Sequence, residues 1–115
     1  MKKINIIRKT QEFEKIIKYR HQYSNRFFAV YIIKREEKYY RFGISIPKKT
    51  GNAVLRNKLK RQVKNIIDNN ELINKEYDYV IIVRREILNL DYLQITHYLN
   101  LLLSKIGDDC GNEKI

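Results

Sequence analysis

The chain has one cysteine, one proline and no apolar run approaching the ~18–20 residues of a membrane span. Each scarcity excludes something. A lone Cys110 can form neither an internal disulfide nor a cysteine-rich zinc site; it suits a reducing cytosol and reads as incidental. The start Ile4-Asn5-Ile6-Ile7 is too short for a signal-peptide core and runs straight into Arg8-Lys9, so a cytoplasmic location is expected. The most informative scarcity is local. Between Glu37 and Asp68 stand nine lysines and arginines and no acid, which accounts for +9 of the formal net charge of +11. Charge concentrated in this way is an electrostatic footprint. Nucleic acid is the leading partner for it and an anionic membrane surface the second.

The acid-free interval holds a glycine turn, Lys48-Lys49-Thr50-Gly51-Asn52, opening a helix expected over residues 52–69. A rotation of about 100° per residue puts Leu55, Leu59, Val63 and Ile66 on one apolar stripe, with Ile67 at its edge. Asn57, Lys60, Arg61 and Lys64 fall on the opposite face, and Arg56 and Lys58 flank the stripe. Like charges meet at Arg56–Lys60, Lys58–Arg61, Lys60–Lys64 and Arg61–Lys64. At roughly 0.2–0.5 kcal/mol per pair, they cost the isolated helix about 1–2 kcal/mol. A solvated basic face is the bland account of such a run. A polyanion explains it better, because it brings the missing counter-charge, and the helix N-terminus adds free amides and a positive dipole end for phosphate.

Taken in order, residues 1–9 read as a basic, extended arm, and Thr10 as the N-cap of a helix over 11–20. Glu12 lies in that helix's first turn, and Phe13, Ile16 and Ile17 form its apolar stripe. Residues 26–34 and 39–46 read as strands joined by a charged connection at 35–38, and an antiparallel hairpin is expected. Pro47 ends the second strand. Residues 70–76 are a turn or a short helical extension. Tyr77–Val83, with its continuous Val80-Ile81-Ile82-Val83, suits a central strand buried on both faces. Asp91 and Gln94 make a capping box for a Leu-rich helix over 92–106, Gly107 is expected to stop it, and 108–115 to form a mobile polar tail. The predicted fold is α+β: one domain over 1–107, a two-layer α/β sandwich in the order helix-strand-strand-helix-strand-helix.

Catalytic constellations are not evident. His21 and His97 lie on different elements, and neither a carboxylate pair nor a metal-ligand spacing is visible, so both histidines read as structural or surface groups. Glu36-Glu37 reads as solvated. Most of the aromatics Phe13, Phe27, Phe28, Tyr31, Tyr39, Tyr40 and Phe42 must serve the core, although exposed aromatics beside basic groups also stack single-stranded RNA bases.

The pattern Lys48-Lys49-x-Gly51-x-Ala53-Val54-x-Arg56-Asn57-Lys58-x-Lys60-Arg61 resembles the signature of the bacterial ribonuclease P protein subunit. The resemblance extends to Arg41-Phe42-Gly43-Ile44-Ser45-Ile46, to Arg8 followed by Phe13, and to Asp78-Tyr79-Val80-Ile81-Ile82-Val83, covering roughly residues 5–105. Three positions depart from it. Lys58 replaces a usual arginine and turns a forked phosphate grip into a point charge. Pro47 stands at a position usually small and polar, and Asn65 where an acid is common. The resemblance implies a left-handed β-α-β crossover and a cytoplasmic RNA-binding subunit of an endoribonuclease that removes the 5′ leader from precursor tRNA. It implies that the partner catalytic RNA holds Mg²⁺ and performs the hydrolysis. Arg56, Asn57, Lys58, Lys60 and Arg61 would dock on that RNA by motif, joined by Lys48 and Lys49 beside them and by Lys64 on position alone. The leader cleft it implies points to Phe13, Ile17 and Tyr31, with Arg41 and Ser45 as further candidates. Neither a membrane nor a small-molecule substrate is implied. A noncatalytic ribosomal or ribosome-assembly protein would explain the charge but not the spacing of the motif.

Overall fold

Runs of branched and aromatic side chains become strands, and the helical periods become helices. The computed structural model describes residues 6–34, 40–70, 73 and 76–112, the side chains of 110–112 excepted. The elements run α1 (Thr10–Lys18), β1 (Gln22–Ser24), β2 (Phe28–Lys34), β3 (Arg41–Ser45), α2 (Ala53–Asp68), β4 (Tyr77–Val83) and α3 (Tyr92–Asn112). Short 3₁₀ turns, Lys48–Thr50 and Arg85–Asn89, lead into α2 and towards α3. The connection at 35–38, four residues of the 70–76 segment and the last three of the tail lie outside the described residues.

The sheet has the order β1-β2-β4-β3. β4 pairs antiparallel with β2, from Phe28↔Val83 to Lys34↔Tyr77, and parallel with β3, from Arg41↔Asp78 to Ser45↔Ile82. The hairpin expected between residues 26–34 and 39–46 therefore does not form. β4 is the strand apolar enough to be covered on both faces, and it takes the place between them. β2 makes its hairpin with β1 instead, around Asn25, whose Oδ1 accepts from the amides of Phe27 and Phe28 at 2.9 Å each. This Asx turn delays the start of β2 to Phe28. Parallel neighbours need a crossover, and α2 provides it between β3 and β4.

Alternation along the strands makes two cores. One face presents Phe28, Val30 and Ile32 of β2, Phe42 of β3 and Tyr79, Ile81 and Val83 of β4 to α2 and α3. There Leu59, Val63, Ile66 and Ile67 of α2 meet Ile95, Leu99, Leu102 and Ile106 of α3. Phe42 stacks on Tyr79 with ring centres 4.7 Å apart. This half is the sandwich that the periodicities predict. The other face carries a smaller cluster of Ile7, Ile16 and Val80, with Phe13, Ile17, Tyr31, Ile33 and Ile82 packed on it, and α1 lies across it. Ile7 donates its amide to Phe42 O at 2.8 Å, which covers the outer edge of β3.

Several helix ends are as expected. Asn52 Oδ1 accepts from the Leu55 amide at 2.9 Å, and Asp91 and Gln94 exchange bonds of 3.0 and 2.9 Å. Two are not. Thr10 is the first residue of α1 rather than its cap; Lys9 holds the N-cap position without a side-chain bond. Gly107 does not stop α3, which continues to Asn112, because no described glycine adopts the positive φ that would unwind it. α1 ends at Lys18 because Arg20 turns left-handed, at φ 61°, and donates its amide to Ile17 O at 3.1 Å. A β-carbon is strained in that conformation, whereas glycine adopts it freely. Arg20→Gly should raise stability by about 0.5–1 kcal/mol in urea unfolding, the relieved strain exceeding glycine's entropy cost; a loss would mean that the arginine side chain itself braces the turn.

Candidate nucleic-acid interface

Burial of its apolar stripe fixes how α2 is rotated. With Leu59, Val63, Ile66 and Ile67 facing the core, Asn57, Lys58, Lys60 and Arg61 are exposed and Arg56 and Lys64 half-buried. α2 carries no acid before Asp68, so Arg56, Lys58, Lys60 and Arg61 have no acidic neighbour three or four positions along the helix. At its foot, Gly51 makes room. A β-carbon there would stand 2.6 Å from Leu55 Cδ2, so the glycine lets Leu55 fold back over the turn. Thr50, at the end of the turn before α2, is buried.

Lys48 and Lys49 are exposed on the turn before α2, which packs against the Arg85–Asn89 turn after β4. Between them lies a groove of about 350 Å³, lined in part by Pro47, Lys49, Ile82, Arg84 and Arg85. Both arginines are exposed and extend the basic surface from α2 around the end of the sheet. Sequence reasoning missed them, for they follow an apolar strand far from the motif. The parallel pairing of β3 with β4, which ends both strands at one edge, is the signal that locates them.

Phe13, Ile17 and Tyr31 do come together, half-buried, on the face that α1 crosses. Arg41 and Ser45 alternate with Phe42 and Ile44 and so share that face. Gly43 lies between them and forms the floor. A β-carbon on it would come within 2.3 Å of Phe13 Cζ, so the ring tip occupies the space the glycine leaves. Arg41 is not a free cation. Its Nε and Nη2 donate to the Asp78 carboxylate at 3.2 and 2.7 Å, and its Nη1 lies 2.7 Å from Glu12 Oε2. The bond that Arg41 donates to Asp78 does most to raise the Arg41 pKa above its ordinary value, opposed by burial and helped by the charges of Asp78 and Glu12. The histidines are apart from this face's cluster: His21 is half-buried against Tyr23 at 5.4 Å and His97 exposed beside Tyr98 at 5.3 Å. Among the described residues, no group of three or more His, Cys, Asp or Glu could hold a metal ion, and no helix is long and apolar enough to cross a membrane.

The family model for Ribonuclease P matches residues 1–107. The chain belongs to the ribonuclease P protein family. Among its relatives, the ribonuclease P protein component of Mycoplasma capricolum is 40% identical over 108 residues, covering 92% of this chain and 99% of the relative. That of Mycoplasma mobile is 39% identical over 115 residues, covering 100% and 99%. Solved structures of family members are similar throughout. The Staphylococcus aureus RNase P protein superposes with a TM-score of 0.82 at 36% identity, covering 89% of this chain and 94% of that one. The Thermotoga maritima protein gives 0.76 at 35%, covering 85% and 94%. Family membership accounts for the strand–turn–helix setting in which the basic motif is found.

The packing of Phe13 on Gly43 can be checked by a double-mutant cycle. Gly43→Ala should destabilise by about 1–3 kcal/mol, as overpacking does, and much less in a Phe13→Ala background. Additive losses in urea unfolding would show that the ring does not rest on residue 43.

Proposed function

We propose that the chain, as the protein component of ribonuclease P, docks on the catalytic RNA through the outer face of α2 and holds the 5′ leader of precursor tRNA between α1 and the sheet. The observation that carries this reading is the separation of the two surfaces. α2 packs on one face of the sheet, and Phe13, Ile17 and Tyr31 lie on the other, so both can be occupied at once. Asn57, Lys58, Lys60, Arg61 and Lys64 meet phosphates from the helix, with Arg56 beside them. Lys48, Lys49, Arg84 and Arg85 continue the positive surface between the two sites.

The protein's part is to bind and orient. Its cations screen the repulsion between two RNAs, and its cleft adds affinity for substrate that carries a leader. The hydrolysis belongs to the RNA subunit, with Mg²⁺ held mainly there. A cytoplasmic setting follows from this role. A ribosomal or ribosome-assembly protein would share the charge but leaves the family membership unexplained.

Two measurements test the two surfaces separately. Alanine at two of Lys60, Arg61 and Lys64 should weaken RNA binding whatever the sequence. It should also lower the slope of log K against log salt by about 0.7–0.9 for each phosphate no longer neutralised. Weaker binding at an unchanged slope would place the phosphates elsewhere on the protein. Tyr31→Ala should cost roughly 1–3 kcal/mol of affinity for leader-bearing precursor if a base stacks on the ring, and nothing for mature tRNA. Equal losses for both ligands, or a matching fall in thermal stability, would return Tyr31 to a purely structural role.

A further inference from the structure

Arg41 joins three elements. Its guanidinium forks onto Asp78 of β4, opposite it in the parallel register, and reaches Glu12 of α1 at 2.7 Å. The three side chains are partly or largely withdrawn from water, at 23% exposure for Arg41, 33% for Glu12 and 8% for Asp78. Charge-assisted bonds in such a setting are stronger than exposed ion pairs. The guanidinium is thus held by carboxylates on two other elements. A phosphate arriving here meets a cation already occupied by two carboxylates.

α1 needs a tether. It has only nine residues, its N-cap makes no side-chain bond, and Ile16 is its one buried residue. A helix this short is marginal without tertiary support. Apolar packing holds it to the sheet but is not directional, whereas the bond from Arg41 to Glu12 is. Glu12 directly precedes Phe13, so the turn that carries the tether also carries the ring seated on Gly43.

We infer that Arg41 is a positioning residue rather than a phosphate ligand: through Glu12 and Asp78 it locks the first turn of α1 over β3 and β4 and so sets the opening of the leader cleft. The inference rests on the cleft reading above and adds what holds that cleft in shape. When α1 is docked only part of the time, leader affinity falls by the docked fraction.

The test uses holoenzyme reconstituted with the catalytic RNA, and measures affinity for precursor tRNA and mature tRNA at several salt concentrations. Glu12→Ala cuts the tether and leaves the Arg41–Asp78 pair in place. It should weaken precursor binding about threefold to tenfold, for a docked fraction between about a third and a tenth. Mature tRNA binding and the salt slope should not change. Glu12→Gln keeps an oxygen that can accept from Nη1 and should recover most of the loss. If Arg41 instead binds phosphate, both variants take away the repelling Glu12 charge beside it, so both would bind precursor more tightly with a steeper salt slope. Tighter binding would overturn the inference, as would equal losses for the two ligands. Tyr31→Ala, run beside them, separates the levels. Loss of leader affinity in Tyr31→Ala but not in Glu12→Ala would remove the positioning role alone, whereas no loss in Tyr31→Ala would remove the cleft and the tether together.

Discussion

The structure depends on one strand that must be covered on every side. β4 is buried along nearly its whole length and has a neighbour on each edge, antiparallel on one and parallel on the other. A strand this apolar cannot lie at an edge or turn a face to water. Once it is central, β2 and β3 cannot pair with each other, and the parallel join to β3 requires a crossover, for which α2 is the available helix. The alternating side chains of β4 then divide the molecule. Tyr79, Ile81 and Val83 belong to the core under α2 and α3, and Val80 and Ile82 to the one under α1. The same alternation puts Asp78 beneath Arg41.

Like charges crowded on a helix next to a core oppose folding, but the magnitudes show that they do not decide it. The like-charge neighbours on α2 cost about 1–2 kcal/mol. Against this stand four buried apolar side chains, Leu59, Val63, Ile66 and Ile67, each worth about 1.5–3 kcal/mol when fully buried. Burial wins by a wide margin, so the fold can keep the charged face in place without a partner. Its direction is set by packing rather than by charge, so the basic face is preformed.

Much of this was legible in the residues themselves. The period of Leu55, Leu59, Val63 and Ile66 locates α2, the Asn52 cap marks its start, and the Asp91–Gln94 box marks the start of α3. Local chemistry decides these features, so a local reading finds them. The misses were decided elsewhere. Four polar residues between two strands look like a hairpin loop, and nothing nearby reveals that a more apolar strand, much later in the chain, will come between them. β1 is only Gln22-Tyr23-Ser24 and has no pattern to read; its pairing with β2 alone makes it a strand. Gly107 looks like a stop, yet the helix runs through it. The candidate cleft residues were found on one face as expected, but the tie between Arg41 and Asp78 appears only when the register of β3 on β4 is known.

The strand order also has a consequence for how the chain leaves the ribosome. β1 and β2 can pair as soon as they emerge, but the other edge of β2 and one edge of β3 stay open until β4 has been made. Open strand edges invite pairing with foreign chains, and pairings between distant segments form slowly. A nascent chain released at Asp68 would already carry the whole basic face of α2, on a body that still lacked its central strand. Synthesis of β4 is thus a checkpoint: the cations of α2 acquire a fixed scaffold only once the polypeptide has been threaded out past Val83.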